Sequence, residues 1–236
     1  MKNKKRIAAL FAAAAVTAAL LAGCAAQSGD STDESESAGE SAAVLVSDIP
    51  TVQAFTQDAV SEEDIEAILS AGINAPSALN SQPWHFSVVT NAQVLQMIAD
   101  DMSQGFPPMG MTAPPDGEDA PRPMPPASSG PKAGIADAPL AIIVSCREGQ
   151  EFNAGLACQS MYVEAQLLGY GSKIISSPTI ALNGEKQAIY REILGIPSDC
   201  TAVAVLLVGR EDTSVDASSG ATERNPMEDT VSFVGE

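Results

Sequence analysis

APSALNSQPWHFSVV, residues 75–89, contains the only tryptophan and the only histidine of the chain, Trp84 and His85. Its first half is turn-prone and its second half alternates and branches like a strand. Pro76, Ser77, Asn80 and Gln82 therefore fall in a loop between a helix and a strand. Such a loop exposes backbone N–H groups beside a hydroxyl and two carboxamides. That set can hydrogen-bond the many acceptors of a planar heteroaromatic ring. Pro83-Trp84 supplies a rigid apolar base beneath it. His85 enters the strand and is read as a strand residue, not as a general base.

Working outward, Val60-Ser61-Glu62-Glu63-Asp64-Ile65 is a helix start, with Ser61 as cap, Asp64 reaching back and Val60 stapled onto Ile65. Ile65, Ile68, Leu69 and Gly72 recur at i, i+3, i+4, i+7 and predict one apolar helical face that stops before Pro76. Phe86–Thr90 predicts a strand, and Asn91 caps a second helix carrying Val94, Leu95, Ile98 and Met102. Leu140–Val144 is a continuous apolar run suited to a strand covered on both faces. Phe152–Leu168 reads as a mostly buried helix closed by Gly169 and Gly171. Lys173–Ser176 predicts a strand, Gly184–Leu194 an amphipathic helix, and Thr201–Gly209 a buried strand. Val231–Val234 either adds an edge strand or reaches a partner subunit. Mixed helices and strands on short links make an α+β or α/β domain.

The chain ends differ from this core. Lys2, Lys4, Lys5 and Arg6 precede an apolar run, Ile7–Ala22, followed by Gly23-Cys24. This reads as a secretory leader, 1–23, whose end resembles a bacterial lipobox with Cys24 as the lipidated residue; the run is short for a membrane span. Residues 24–44 are rich in Ser, Gly and acids and form a solvated tether. The expected product is exported and lipid-anchored to the outer face of the bacterial cell membrane. Residues 45–236 make one domain. Within it 103–137 holds nine of the 16 prolines and reads as an irregular loop or lid.

The formal net charge is −18. Removing the leader takes four of the 12 lysines and arginines and none of the 30 carboxylates, leaving −22. That balance excludes nucleic acid as a partner, because a polyanion demands basic surface. Cys146, Cys158 and Cys200 match no metal spacing. They allow one disulfide with a free thiol, but their apolar surroundings favour small buried hydrophobes. Met102, Met109, Met111 and Met124 suit apolar loop contacts better than a Cu(I) site, since no His or Cys accompanies them. No nucleophile elbow, phosphate loop or HExxH helix is present.

The opening stretch is similar to the FMN-binding signature of nitroreductase-like flavoproteins, A-P-S-x-x-N-x-Q-P-W-x-F-x-V-V. Segments 55–72, 138–146, 155–172, 194–209 and 224–233 resemble other parts of that family in the same order. The resemblance implies an α+β nitroreductase-like fold with a central, mostly antiparallel sheet flanked by helices. It implies a homodimer with two FMN sites at its interface. Pro76, Ser77, Asn80 and Gln82 would touch flavin, Arg224 would grip its phosphate, and the turn at 172–178 would lie beside the ring. The family's R-R-S-x-R-x-F opening is here Ile49-Pro50-Thr51-Val52-Gln53-Ala54-Phe55. Thr51 and Gln53 then keep only neutral ring contacts, and Lys173 is the candidate substitute cation. A charge-assisted hydrogen bond to phosphate is worth about 1.5–3 kcal/mol, so losing two arginines would weaken FMN about 100-fold or more.

The implied activity is FMN-dependent oxidoreduction: two-electron reduction of a nitroaromatic, quinone-like or other conjugated acceptor, carried by flavin N5 with no protein nucleophile. The alternative is a non-catalytic flavin- or small-ligand-binding lipoprotein on a degenerate scaffold of the same kind.

Overall fold

The computed structural model describes residues 51–105, 133–215 and 225–235. The leader, Cys24, the tether, residues 106–132 of the proline-rich segment and Arg224 lie outside the described residues. Four strands form one sheet in the order β1-β2-β4-β3: β1 Trp84–Val89, β2 Leu140–Arg147, β3 Gly171–Ile175 and β4 Cys200–Gly209. All three pairings are antiparallel. The sheet is flanked by α1 Glu62–Ile73, α2 Ala92–Gly105, α3 Glu151–Leu167, α4 Pro178–Leu182 and α5 Gln187–Leu194. The predicted α+β architecture is the one observed.

Helices cover both faces, so β2 and β4 read as unbroken apolar runs although their neighbours are antiparallel. One core packs Val89, Ile143 and Leu207 with Leu95 and Ile98 of α2 and Tyr190 and Leu194 of α5. The other packs Ile142, Val144 and Leu206 with Ile68 of α1 and Cys158 and Met161 of α3. Gly72 makes the α1–α3 contact: a Cβ there would stand 2.7 Å from Met161 Cγ and 3.3 Å from Phe86 Cε2.

The capping signals operate as predicted. Ser61 Oγ accepts from Asp64 N at 3.1 Å and donates to Asp64 Oδ2 at 2.6 Å. Asn91 Oδ1 accepts from Gln93 N at 2.9 Å.

Several boundaries differ. The 184–194 helix begins only at Gln187, because Asn183-Gly184 ends a separate short helix, α4, to which the sequence assigned no element. Gly171 does not cap α3. It opens β3, where a Cβ would meet Val52 Cγ2 at 2.5 Å. The 103–137 segment is helical to Gly105, and Ala133 and Ile135 at its far end are buried in the core. Among the described residues, 231–234 adds no strand.

The three cysteines are free and buried, as read from their apolar surroundings. Cys146 pairs with Thr201 and Arg147 with Cys200, so Cys146 and Cys200 point to opposite faces of the sheet and cannot be bridged.

Candidate functional site

Two groups of candidate residues lie at opposite ends of the sheet. At the end where β1 begins and β2 finishes, residues 77–82 form a tight turn. Leu79, Asn80 and Gln82 have φ of 54°, 53° and 42°, left-handed values that non-glycine residues seldom adopt. Backbone held this way costs of order 1 kcal/mol or more per residue and persists only where its surroundings over-determine it.

Those surroundings are visible. Ser77 Oγ accepts from Gln82 N at 3.0 Å, closing the turn on itself. Gln82 Nε2 donates to Asn80 Oδ1 at 3.2 Å. From outside, Asn153 Oδ1 on α3 accepts from Ala78 N at 3.1 Å, and Arg147 Nη2 at the end of β2 donates to Ser81 O at 3.2 Å. Pro76, Asn80 and Gln82 are exposed and Ser77 is half-buried. Trp84 stacks on Phe86 at 6.3 Å between ring centroids with 15° between planes, which anchors the strand entry below the turn. His85 pairs with Ser145 within the sheet, a strand position as expected.

Thr51, Gln53 and Lys173 gather at the other end. Phe55 bridges Glu211 just beyond β4, and Thr56 N donates to Arg210 O at 2.9 Å, fixing the 51–56 segment there. Gln53 is buried; its Nε2 donates to Thr51 O at 3.1 Å while its Oε1 has no protein partner. Lys173 Nζ donates to Ala133 O at 2.9 Å, and Ala133 N donates to Gln53 O at 2.8 Å. Lys173 and the backbone carbonyl of Gln53 thus meet on Ala133.

The separation follows from strand length. Leu140 and Arg147 bound an eight-residue β2, which at about 3.4 Å per residue puts the ends about 24 Å apart. The structure unites each group and keeps the two groups separate within one chain.

The donor set fits a flavin. The turn offers amides, a hydroxyl and two carboxamides, and the far group offers a buried acceptor and an ammonium. Among the described residues no group of three His, Cys, Asp or Glu could hold a metal. Asn153 was not singled out in the sequence, since nothing local marks a residue whose partner lies 75 positions away.

A family model described as the nitroreductase family matches residues 50–210. The chain belongs to the nitroreductase family. A protein of Archaeoglobus fulgidus assigned as an NADH dehydrogenase/NAD(P)H nitroreductase is 27% identical, over 75% of this chain and 88% of that one. A 4-nitrobenzoate reductase of a Nocardioides species is 25% identical, over 78% and 86%. The crystal structure of a Bacteroides fragilis nitroreductase with bound FMN superposes with a TM-score of 0.62 at 20% identity, covering 82% of this chain and 98% of that one.

Proposed function

We propose that this chain is an FMN-dependent oxidoreductase that reduces a small nitroaromatic, quinone-like or other conjugated acceptor by two electrons, as a homodimer held by a lipid on Cys24 at the outer face of the cell membrane. The observation that carries the site is the pair of half-sites about 24 Å apart. Neither alone encloses a ring.

Helix α3 links them. Its 17 residues span about 25 Å, beginning by Asn153 beside the turn and ending at Leu167, a few residues before Gly171 beside Val52. Its inner face is buried, and its outer face presents Phe152, Gly155, Gln159 and Leu167 to solvent. Phe152 and Leu167 give that exposed face apolar surface suited to being covered. A two-fold axis that packs α3 antiparallel on its copy brings the turn of one chain to the Gln53 end of its partner. Two complete sites result, each drawn from both chains.

Within such a site FMN, when bound, supplies the redox chemistry. The chain's own residues bind and orient it. Ser77, Asn80 and Gln82 offer hydrogen bonds from the turn, Pro76 shapes its entry, and Gln53 offers its buried Oε1. Thr51, Lys173 and Arg224 complete the set, with Lys173 joined to the Gln53 segment through Ala133. The relatives named as nitroreductases support the acceptor class, and the leader and tether read from the sequence support the location.

The test is a visible spectrum of the purified dimer, then titration with FMN. A flavin band that bleaches on reduction and returns with a nitroaromatic or quinone is the expected result. A colourless protein that takes up no FMN overturns the proposal, and binding without turnover favours the non-catalytic alternative.

A further inference from the structure

Resting on that flavin reading, we propose that Asn153 is the positioning residue of the site: it touches no ligand, but sets the flavin-facing turn in its binding conformation. Three observations converge on it. The first is the turn itself, with three left-handed non-glycine residues in four positions. Unbraced, such a turn relaxes towards right-handed or extended backbone, and its exposed groups change direction.

The second is the state of the Asn153 side chain. It is only 7% exposed and both ends of its carboxamide are used. Oδ1 accepts from Ala78 N at 3.1 Å and Nδ2 donates to Gln150 Oε1 at 2.7 Å. Gln150 is the residue just before α3, so the carboxamide ties the turn to the start of the helix. A carboxamide with one end fixed cannot swing, and its acceptor is aimed at a single amide.

The third is where the bond falls. Ala78 N is the first amide inside the turn, between Ser77 and the left-handed Leu79. Leu79 is fully exposed and packs on nothing among the described residues. Its conformation therefore comes from the backbone bonds on either side and not from side-chain packing. Arg147 holds the other limb through Ser81 O at 3.2 Å, but from an exposed side chain. Asn153 is the buried member of the two.

Asn153 also sits one residue from Phe152, which is 77% exposed on the outer face of α3. Whatever fixes the first turn of this helix fixes the flavin turn through one hydrogen bond.

The experiment uses the full-length protein and four readouts: FMN affinity by quenching of flavin fluorescence, the visible circular dichroism of bound flavin, the emission of Trp84, and the melting temperature of the flavin-free form. Asn153→Ala should weaken FMN by about 10-fold or more and alter the dichroism of what still binds. Trp84 emission should shift, because the lone tryptophan lies two residues beyond Gln82. Asn153→Asp keeps the acceptor and loses the donor, and should recover most of the affinity. Leu79→Gly makes the left-handed conformation cheap, so Asn153→Ala should cost less FMN affinity in that background than in the parent. A merely structural Asn153 would lower the melting temperature equally in both backgrounds and leave the flavin dichroism unchanged. That result overturns the inference, as does parental FMN affinity in Asn153→Ala. If the parent itself binds no FMN, the flavin reading falls and the positioning role with it; if only the variant behaves like the parent, the flavin reading stands and this one falls.

Discussion

Two half-sites at opposite ends of one sheet make mixed dimers the sharpest test of the proposed assembly. One variant removes the turn's contacts, Asn80→Ala with Gln82→Ala. The other removes the far end's, Gln53→Ala with Lys173→Ala. Each neutral hydrogen bond is worth about 0.5–1.5 kcal/mol, and one to a charged group about 1.5–3. Each pair of substitutions should then cost about 2 kcal/mol or more, roughly a 30-fold loss in FMN affinity. The two variants are unfolded together and reassembled in equal amounts. Random pairing makes about half of the dimers mixed. In a mixed dimer both lesions fall in one site and the other site is intact. About a quarter of all sites should therefore regain parental affinity, seen as a tight first phase in a fluorescence titration with FMN. Separately tagged chains, purified through both tags, should raise that fraction to about half. If verified mixed dimers show no tight phase, the half-sites do not complement across chains. The antiparallel α3 packing would then be wrong.

Gly72→Ala should destabilise the fold although alanine is worth about 1 kcal/mol more than glycine inside a helix. The new methyl would stand 2.7 Å from Met161 Cγ in a fully buried contact, an overpacking of about 1–3 kcal/mol; urea denaturation should show a lower midpoint at unchanged slope, and a raised midpoint would refute the packing. Asp64 is held below the usual carboxylate range by the hydrogen bond from Ser61 first, then by that from Tyr170. A lowered folded-state value stabilises above the unfolded-state pKa, and the contribution is lost as pH falls through the folded value. Asp64→Asn should therefore lower the melting temperature at pH 7, and the gap to the parent should close as pH falls below about 4. Burial pushes the Cys158 thiol up to about 12 and, as its largest influence, the Cys146 thiol up to about 11. Neither should react with a thiol reagent at pH 8 until the chain is unfolded, and rapid labelling of either would show that its core is open.

The layout of the sheet was legible because its signals are local. Apolar runs gave β2 and β4, and Ser61 and Asn91 announced their helices through caps that satisfy free N–H groups within three residues. Missed boundaries fell where tertiary contact overrides a local cue. Gly171 looked like a helix stop, but it is glycine because Val52 lies against its backbone within β3. No local cue marks α4, because it is held by tertiary contact: the carboxamide of Asn183 bonds both N and O of Ala202 and pins α4 to β4. The proline-rich stretch hid Ala133 and Ile135, core residues with no longer periodic pattern to mark them.

Function was half legible for a related reason. The turn could be picked out by composition, since proline, serine and asparagine write a loop into the sequence directly. That the turn and Gln53 belong to different ends is a fact of topology, invisible until the strands are ordered. The same ordering reframes the missing arginines. Gln53 keeps a buried, unshared oxygen where a guanidinium would present only donors. Its neighbour Lys173, two residues inside β3, supplies the ammonium by a separate route and anchors Ala133 with it. In the proposed site Lys173 would supply the charge and Gln53 the acceptor, two roles that an arginine, with donors only, could not combine.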